Sequence, residues 1–185
     1  MPNWCNNTLT ISHADPAMAQ KAADAWNSGR FLQTLVPCPQ ELFDTVAGFA
    51  SGDEGKENKR KEIANLKKYG YKNWYDYCID EWGTKWDIGY DEDLDNKAEL
   101  IMGEFEVMFD SAWSPPTGAY QKLLDMGFKI KAYYFEPGMA YCGKWENGED
   151  EYYDLSKAKL EDIPRDIQYG AGVIDYYQMM GESAE

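Results

Sequence analysis

The sequence has a single histidine, His13, and its four cysteines (Cys5, Cys38, Cys78 and Cys142) stand far apart, with no Cys-x-x-Cys among them. Structural zinc sites draw on close pairs of such ligands, so this spacing argues against one. A nucleophilic thiol needs a base, and His13 follows Cys5 by eight residues. Along a regular strand that separation is about 26 Å, which rules out a local pair. No glycine-rich phosphate loop of the Walker or dinucleotide type occurs. No run of about 20 apolar residues is present, so no membrane span is expected. The N-terminus lacks the basic and apolar regions of a secretion signal. Reduced thiols and a cytoplasmic setting are the corresponding expectations.

Basic residues are scarce as well: 18 Lys and Arg face 33 Asp and Glu, a net charge of −15. Such a field repels phosphate backbones and anionic membranes, which disfavours direct nucleic-acid binding. It favours a basic partner, including a protein whose groove normally grips nucleic acid. The plain alternative is that the acids keep a small protein in solution. What the chain does hold is apolar material. Hydrophobic residues make up 44% of 185 positions, enough for one domain with its own core and no need of metal or disulfide. Seven Trp and fourteen Tyr make the chain rich in aromatics; part of them must be core, and any excess outside it would favour an interaction surface.

Periodicity gives the elements. Residues 3–12 alternate, with Cys5, Leu9 and Ile11 on one face and Asn7 interrupting it, so Asn7 requires a hydrogen-bonding partner. Asp15-Pro16 starts a helix carrying Met18, Ala22 and Trp26, and Gly29 ends it. Residues 48–55 read as a loop. The one basic block, Lys56 to Lys72, reads as a solvated helix with Ile63 and Leu66 as a thin apolar stripe. Asn73 caps a further helix with Trp74, Cys78 and Trp82 on one side and Gly83 as terminator. Trp86, Ile88 and Tyr90 alternate as a strand, the acidic segment 91–96 turns the chain, and Ile101, Phe105, Val107 and Phe109 alternate as the next strand. Ser114 caps a helix beginning at Pro115-Pro116 that carries Ala119, Leu123 and Leu124. Phe128, Ile130, Ala132 and Tyr134 form another strand. Pro137-Gly138 and Asn147-Gly148 are hairpin turns framing strands at 139–145 and 151–155. The C-terminal part ends in a short helix with Val173, Tyr176 or Tyr177, and Met180 facing inward, and the tail 181–185 frays.

The order predicts an α+β protein with a ferredoxin-like β-α-β-β-α-β core. The domain spans residues 1–155, with a helical insertion at about 43–83 and a C-terminal extension over 156–185 packed on it. Five strings add to this reading: Met1-Pro2-Asn3-Trp4-Cys5-Asn6-Asn7, Pro37-Cys38-Pro39-Gln40-Glu41-Leu42, Asn73-Trp74-Tyr75, Trp82-Gly83-Thr84-Lys85-Trp86 and Ser111-Ala112-Trp113-Ser114-Pro115-Pro116. In this order, over residues 1 to about 148, the chain resembles the YubB-like proteins of phages and conjugative plasmids, which are described as carrying a ferredoxin-like domain. The resemblance implies a mobile-element origin and the cytoplasm of a host cell. By association with that habitat, it implies an inhibitor of host defence. It brings no catalytic chemistry with it.

Asp91, Asp93 and Asp95 alternate like the start of a calcium loop. However, Asn96 and Met102 stand where such a loop needs Gly and Glu, so a hairpin turn is expected and no metal or other cofactor. The expected binding residues are Asp91, Asp93, Asp95, Glu104, Glu106, Trp113, Tyr133 and Trp145, and the acidic segments 91–95, 104–110 and 146–154 supply the charge. The partner is expected to be a host protein, with no membrane contact; a homo-oligomer stays open. The main alternative is nucleic-acid binding through Tyr133 and Phe135 on the sheet, aided by the basic block 56–72. An enzyme of unknown type is the further alternative.

Overall fold

Alternation makes the first strand, and its neighbours fix its place. The computed structural model describes residues 3–181, and in it β1 (Trp4–His13) buries Cys5, Leu9 and Ile11 on one face. β1 pairs antiparallel on one side with β2 (Glu104–Ala112), Leu9 opposite Val107. On its other side it pairs antiparallel with β3 (Phe128–Glu136), Leu9 opposite Ala132. β4 (Tyr141–Glu146) and β5 (Glu149–Asp154) continue the sheet through the two expected hairpins. The result is an α+β protein with an open, antiparallel five-stranded sheet in the order β2-β1-β3-β4-β5. Asn7, on the core face of β1, does find partners. Its amide donates to the Cys5 carbonyl at 2.7 Å and to Ser111 Oγ at 2.9 Å.

The front of the sheet is covered by α1 (Pro16–Asn27) and α6 (Thr117–Asp125), which bring Trp26, Tyr120 and Leu123 into the core. Asp15 caps α1 as the sequence predicts, accepting from the Ala17 N–H at 2.9 Å. Ser114 does not cap α6: its hydroxyl donates to the Gly83 carbonyl at 2.5 Å, and the helix starts at Thr117.

The strand expected over 86–90 is absent, and with it the second strand of the expected β-α-β-β-α-β order. The backbone of this segment is claimed elsewhere. Tyr90 N–H donates to the Trp26 carbonyl at the end of α1 (2.8 Å), and the Ile88 carbonyl accepts from Phe31 N–H (3.0 Å) at the start of α2 (Phe31–Leu35). Asp87 turns inward and accepts from the Leu32 and Gln33 N–H groups (2.7 and 3.1 Å), capping α2 from outside the helix. Gly89 lies so close to Gly29 that a Cβ would stand 2.6 Å from the Gly29 Cα. Ile101 also departs from the expected core face. It pairs with Glu104 across a tight turn in which Met102 and Gly103 have φ of 52° and 85°, and so it stands exposed.

Residues 40–82 form the helical insertion: α3 (Gln40–Phe43), α4 (Gly52–Tyr69) and α5 (Trp74–Tyr77), the last running on as a π turn over Cys78–Trp82. The loop expected over 48–55 is therefore helical from Gly52 onward. α4 is the solvated basic helix, but it does not dock through its apolar stripe. Ile63 and Leu66 are exposed, whereas Asn58 and Asn65 are buried. Asn58 exchanges two hydrogen bonds with the Val46 backbone (2.8 and 3.1 Å). The Asn65 amide reaches Thr45 Oγ1 (2.8 Å) and the Lys72 and Glu41 carbonyls (3.1 and 3.2 Å). These two side chains stand in for a backbone ladder along a segment that has none.

The C-terminal extension packs on the back of β3 and β4. α7 (Arg165–Gly170) and α8 (Ile174–Met179) place Ile167, Val173 and Tyr177 over Cys142, with Tyr133 and Phe135 beside them. Met180 is exposed rather than inward-facing. Met1, Pro2 and tail residues 182–185 lie outside the described residues.

Buried hydrogen bonds from Asn58 and Asn65, and not the Ile63 and Leu66 stripe, hold the middle of α4, so substitutions there invert the usual ranking. Asn65→Ala should destabilise the protein by about 1–3 kcal/mol, because several buried polar groups lose their partner. Ile63→Ser and Leu66→Ser should stay within about 0.5 kcal/mol of the parent. Urea unfolding of the three variants measures the order directly.

Candidate functional site

β2 is the outermost strand on its side of the sheet, so its side chains alternate between core and solvent. Phe105, Val107 and Phe109 are buried; Glu104, Glu106, Met108 and Asp110 are exposed. The acidic turn lies against this strand. Asn96 is the hinge: its carboxamide oxygen accepts from Asp91 N–H (2.7 Å), and its NH2 donates to the Met108 carbonyl (2.8 Å). The Asn96 carbonyl accepts from the fully buried Trp26 indole at 2.8 Å, which ties the turn to the core. Within the turn, one Asp91 oxygen accepts from Asp93 N–H at 2.9 Å; the segment turns the chain, but with no strand over 86–90 it is not the expected hairpin. Among the described residues, no group of three His, Cys, Asp or Glu is placed to hold a metal ion.

Asp91, Asp93 and Asp95 share the turn, and Asp91 and Asp93 border one cleft with Asp110 of β2; Glu104 and Glu106 lie further along β2, toward its start. Residues 91–110 hold eight acids and one lysine, Lys97. None of those acids forms an ion pair among the described residues. Their contacts are with neutral groups, Thr10 Oγ1 to Glu106 (3.0 Å) and the Asn6 amide to Asp110 (2.6 Å). The third acidic segment, 146–154, lies on the opposite side of the sheet, at β4 and β5. It is compensated in part: Lys144 reaches Glu151 at 3.0 Å, Glu146 at 3.6 Å and Asp166 of α7 at 3.2 Å, and Asp154 pairs with Lys157. Glu151 and Asp166 push the Lys144 ammonium above its ordinary range and hold it charged.

At the end of β2 the acidic edge meets an aromatic corner that sequence reading did not assemble. The string Trp82–Trp86 joins the string Ser111–Pro116 through two hydrogen bonds, Ser114 to the Gly83 carbonyl and Thr84 Oγ1 to the Ala112 carbonyl (3.0 Å). Gly83 adopts φ of 82°, and a Cβ there would crowd the Thr117 N at 3.1 Å, so the corner requires glycine. Lys85 then projects its ammonium over Trp86 (4.7 Å), Trp113 (5.3 Å) and Tyr75 (5.8 Å). Trp4 packs on Trp86 with ring centroids 5.7 Å apart. Trp4, Trp86 and Trp113 stay 44, 40 and 39% exposed, whereas Trp82 is buried with its indole donating to the Val36 carbonyl at 2.8 Å. The sequence signal for this corner was the spacing of the Trp-containing strings. That they meet is a tertiary fact.

Two candidates fall outside this region. Trp145 is 4% exposed and packs on the Tyr120 ring at 5.5 Å, so it is a core residue rather than a contact. Tyr133 is covered by the C-terminal extension: a Cβ on Gly170 would stand 2.5 Å from its ring. His13 is occupied structurally, Nδ1 accepting from Asp15 N–H (2.9 Å) and Nε2 lying 3.2 Å from the Met126 carbonyl. All four thiols are free and buried, and burial pushes those of Cys5 and Cys142 up to about 12.

No family model matches the chain, and no curated protein matches it. A solved structure, that of protein api92 from Yersinia pseudotuberculosis, described by the family model DUF1281, is similar to it. The two share 10% sequence identity and a TM-score of 0.39, over 86% of this chain and all of that one.

The two kinds of Trp separate in a stability measurement. Trp82→Ala should cost about 3–5 kcal/mol, as for a fully buried indole. Trp113→Ala removes a half-exposed ring and its contact with Lys85, and should cost about 1–2 kcal/mol. Equal losses in urea unfolding would show that Trp113 belongs to the core.

Proposed function

We propose that this protein works by binding a protein partner through the acidic edge formed by β2 and the 91–95 turn. The observation that carries the reading is the asymmetry of charge compensation. Glu146 of β4 and Glu151 of β5 gather round Lys144 together with Asp166, and Asp154 pairs with Lys157, while the eight acids of 91–110 have no cation partner among the described residues. From Glu104 to Ala112 the edge runs about 27 Å at strand spacing. It ends at the exposed rings of Trp4, Trp86 and Trp113. Clustered carboxylates speed encounter with a basic groove, and rings at the end of the row supply short-range affinity.

The partner in this reading is a basic host protein, including one whose groove otherwise holds nucleic acid. The biological role is that of a non-enzymatic mobile-element protein, an inhibitor of a host defence system acting in the host cytoplasm. The similarity of the five strings to YubB-like proteins supports the habitat. We read the sheet as a ferredoxin-like arrangement in which the irregular segment 86–98 stands in for the second strand. The nucleic-acid alternative loses its sheet platform, because the C-terminal extension packs over Tyr133 and Phe135.

The test is association kinetics with the partner captured from host cells. Rising salt should lower the on-rate, and Glu104→Lys combined with Glu106→Lys should lower it roughly tenfold at low salt. Both side chains are exposed, so the double variant should keep its unfolding free energy within about 1 kcal/mol. Salt-independent association with an unaffected variant would remove the mechanism. Turnover of a small substrate by the purified protein alone would remove the reading as a whole.

A further inference from the structure

Between the irregular segment 86–96 and the end of β2 lies an open cleft of about 390 Å³. Trp4 and Trp86 stand along it, and Asp87, Asp91, Asp93 and Asp110 contribute to its lining. The cleft exists because the backbone of 86–90 bonds to α1 and α2 instead of β2, leaving a gap where a further strand would lie against β2. Resting on the reading above, we infer that this cleft is an arginine subsite: it receives the guanidinium of one side chain presented by the partner protein.

Three observations combine. The first is concavity, which focuses the field of the surrounding acids on one small volume. The second is the state of those acids. Asp87 is spent on the Leu32, Gln33 and Ile88 N–H groups. Asp110 keeps one oxygen beyond the one that accepts from Asn6, and Asp91 one beyond the one that accepts from Asp93 N–H. Asp93 keeps both of its oxygens, and no ion pair among the described residues reaches any of the four. Burial raises the Asp87 carboxyl above its usual range, against the lowering effect of its three backbone N–H partners and of Arg30. The third is the aromatic wall. Trp86 already carries an ammonium of this chain, Lys85, over its ring at 4.7 Å, and its neighbour Trp4, 44% exposed, also borders the cleft. Indole faces beside free carboxylates suit a planar cation that stacks and donates several hydrogen bonds at once, which a compact ammonium does less well. A divalent metal fits poorly, since no group of three ligating side chains converges among the described residues.

The test uses the intact protein and a short capped peptide, glycine-arginine-glycine, followed by the indole N–H resonances in NMR. Saturable shifts are expected at Trp4 and Trp86, with the Trp82 and Trp145 signals unmoved. The same peptide with citrulline, a neutral isostere, should give none, and spermidine and magnesium should bind at least about fivefold more weakly. Asp93→Asn with Asp110→Asn preserves size and the Asn6 contact, and should weaken the peptide about tenfold. Trp4→Leu is the second variant and should also weaken it without disturbing the carboxylates. Equal shifts with citrulline, equal binding of spermidine, or shifts that do not centre on Trp4 and Trp86 would overturn the subsite. If the peptide fails while the captured partner still shows salt-dependent association sensitive to Glu104→Lys with Glu106→Lys, the subsite is wrong and the acidic-edge reading stands.

Discussion

The position of β1 is the constraint from which the rest follows. It takes β2 on one side and β3 on the other, strands about 100 and 120 residues later in the chain. Both of its edges are thereby saturated, and no other segment can join the sheet beside it. Helices α1 and α6 have one apolar face to cover, and the C-terminal extension has the back of β3 and β4. Pairing over such separations is slow to form, because loop closure precedes any gain from contact. The polar group that interrupts the face, Asn7, donates through its NH2 to the Cys5 carbonyl and Ser111 Oγ and reaches the Phe109 carbonyl at 3.4 Å, while its Oδ1 is buried without a partner. It binds β1 to β2 at the end where the aromatic corner begins.

With β1 filled, β2 becomes the border, and segment 86–98 decides what kind of border it is. That segment has the alternation of a strand but not the backbone freedom of one. Tyr90 and Ile88 are bonded to the end of α1 and the start of α2, and Asp87 serves as a cap for α2. A helix start leaves N–H groups without partners, and an aspartate from elsewhere in the chain satisfies two of them at once. That local gain competes with the ladder that 86–90 would make with β2, and the cap wins. What remains along β2 is one side-chain bridge from Asn96 and a row of exposed acids.

Most of the fold was legible in the sequence. β1, β2 from Phe105 onward, β3, both hairpins, and the helices opened by Asp15 and Asn73 all follow from period and caps. The readings that failed share a cause. Trp86, Ile88 and Tyr90 alternate, but alternation says nothing about where the backbone hydrogen bonds go. Ile63 and Leu66 form a stripe, but α4 docks by Asn58 and Asn65, residue types that sequence reading assigns to the surface. Trp145 next to an acidic run resembles a contact residue, yet it faces the core because β4 alternates in register with Ala132 of β3. Of the candidate site, the acids were readable one by one. Their union at one edge depends on Asn96, a residue noted only for standing where a calcium loop needs glycine.

The two edges of the sheet carry their charge differently. Acids along an edge strand discourage a second copy of the same strand from pairing with it, because like charges would face each other. At β5 that role is served together with compensation, since Lys144 draws Glu151 and Asp166 into one network that also fastens the C-terminal extension. Those acids contribute to holding the fold. At β2 no such return is present: the exposed acids bond only to neutral neighbours, and the turn 91–95 adds further charge to the same side. Solubility would be served as well by scattered acids, and edge protection by two or three. Eight in twenty residues, beside a cleft and three exposed indoles, add self-repulsion that a cationic surface relieves. The charge of this edge is therefore separable from the contacts that hold the domain, which is why the proposed binding surface is placed here.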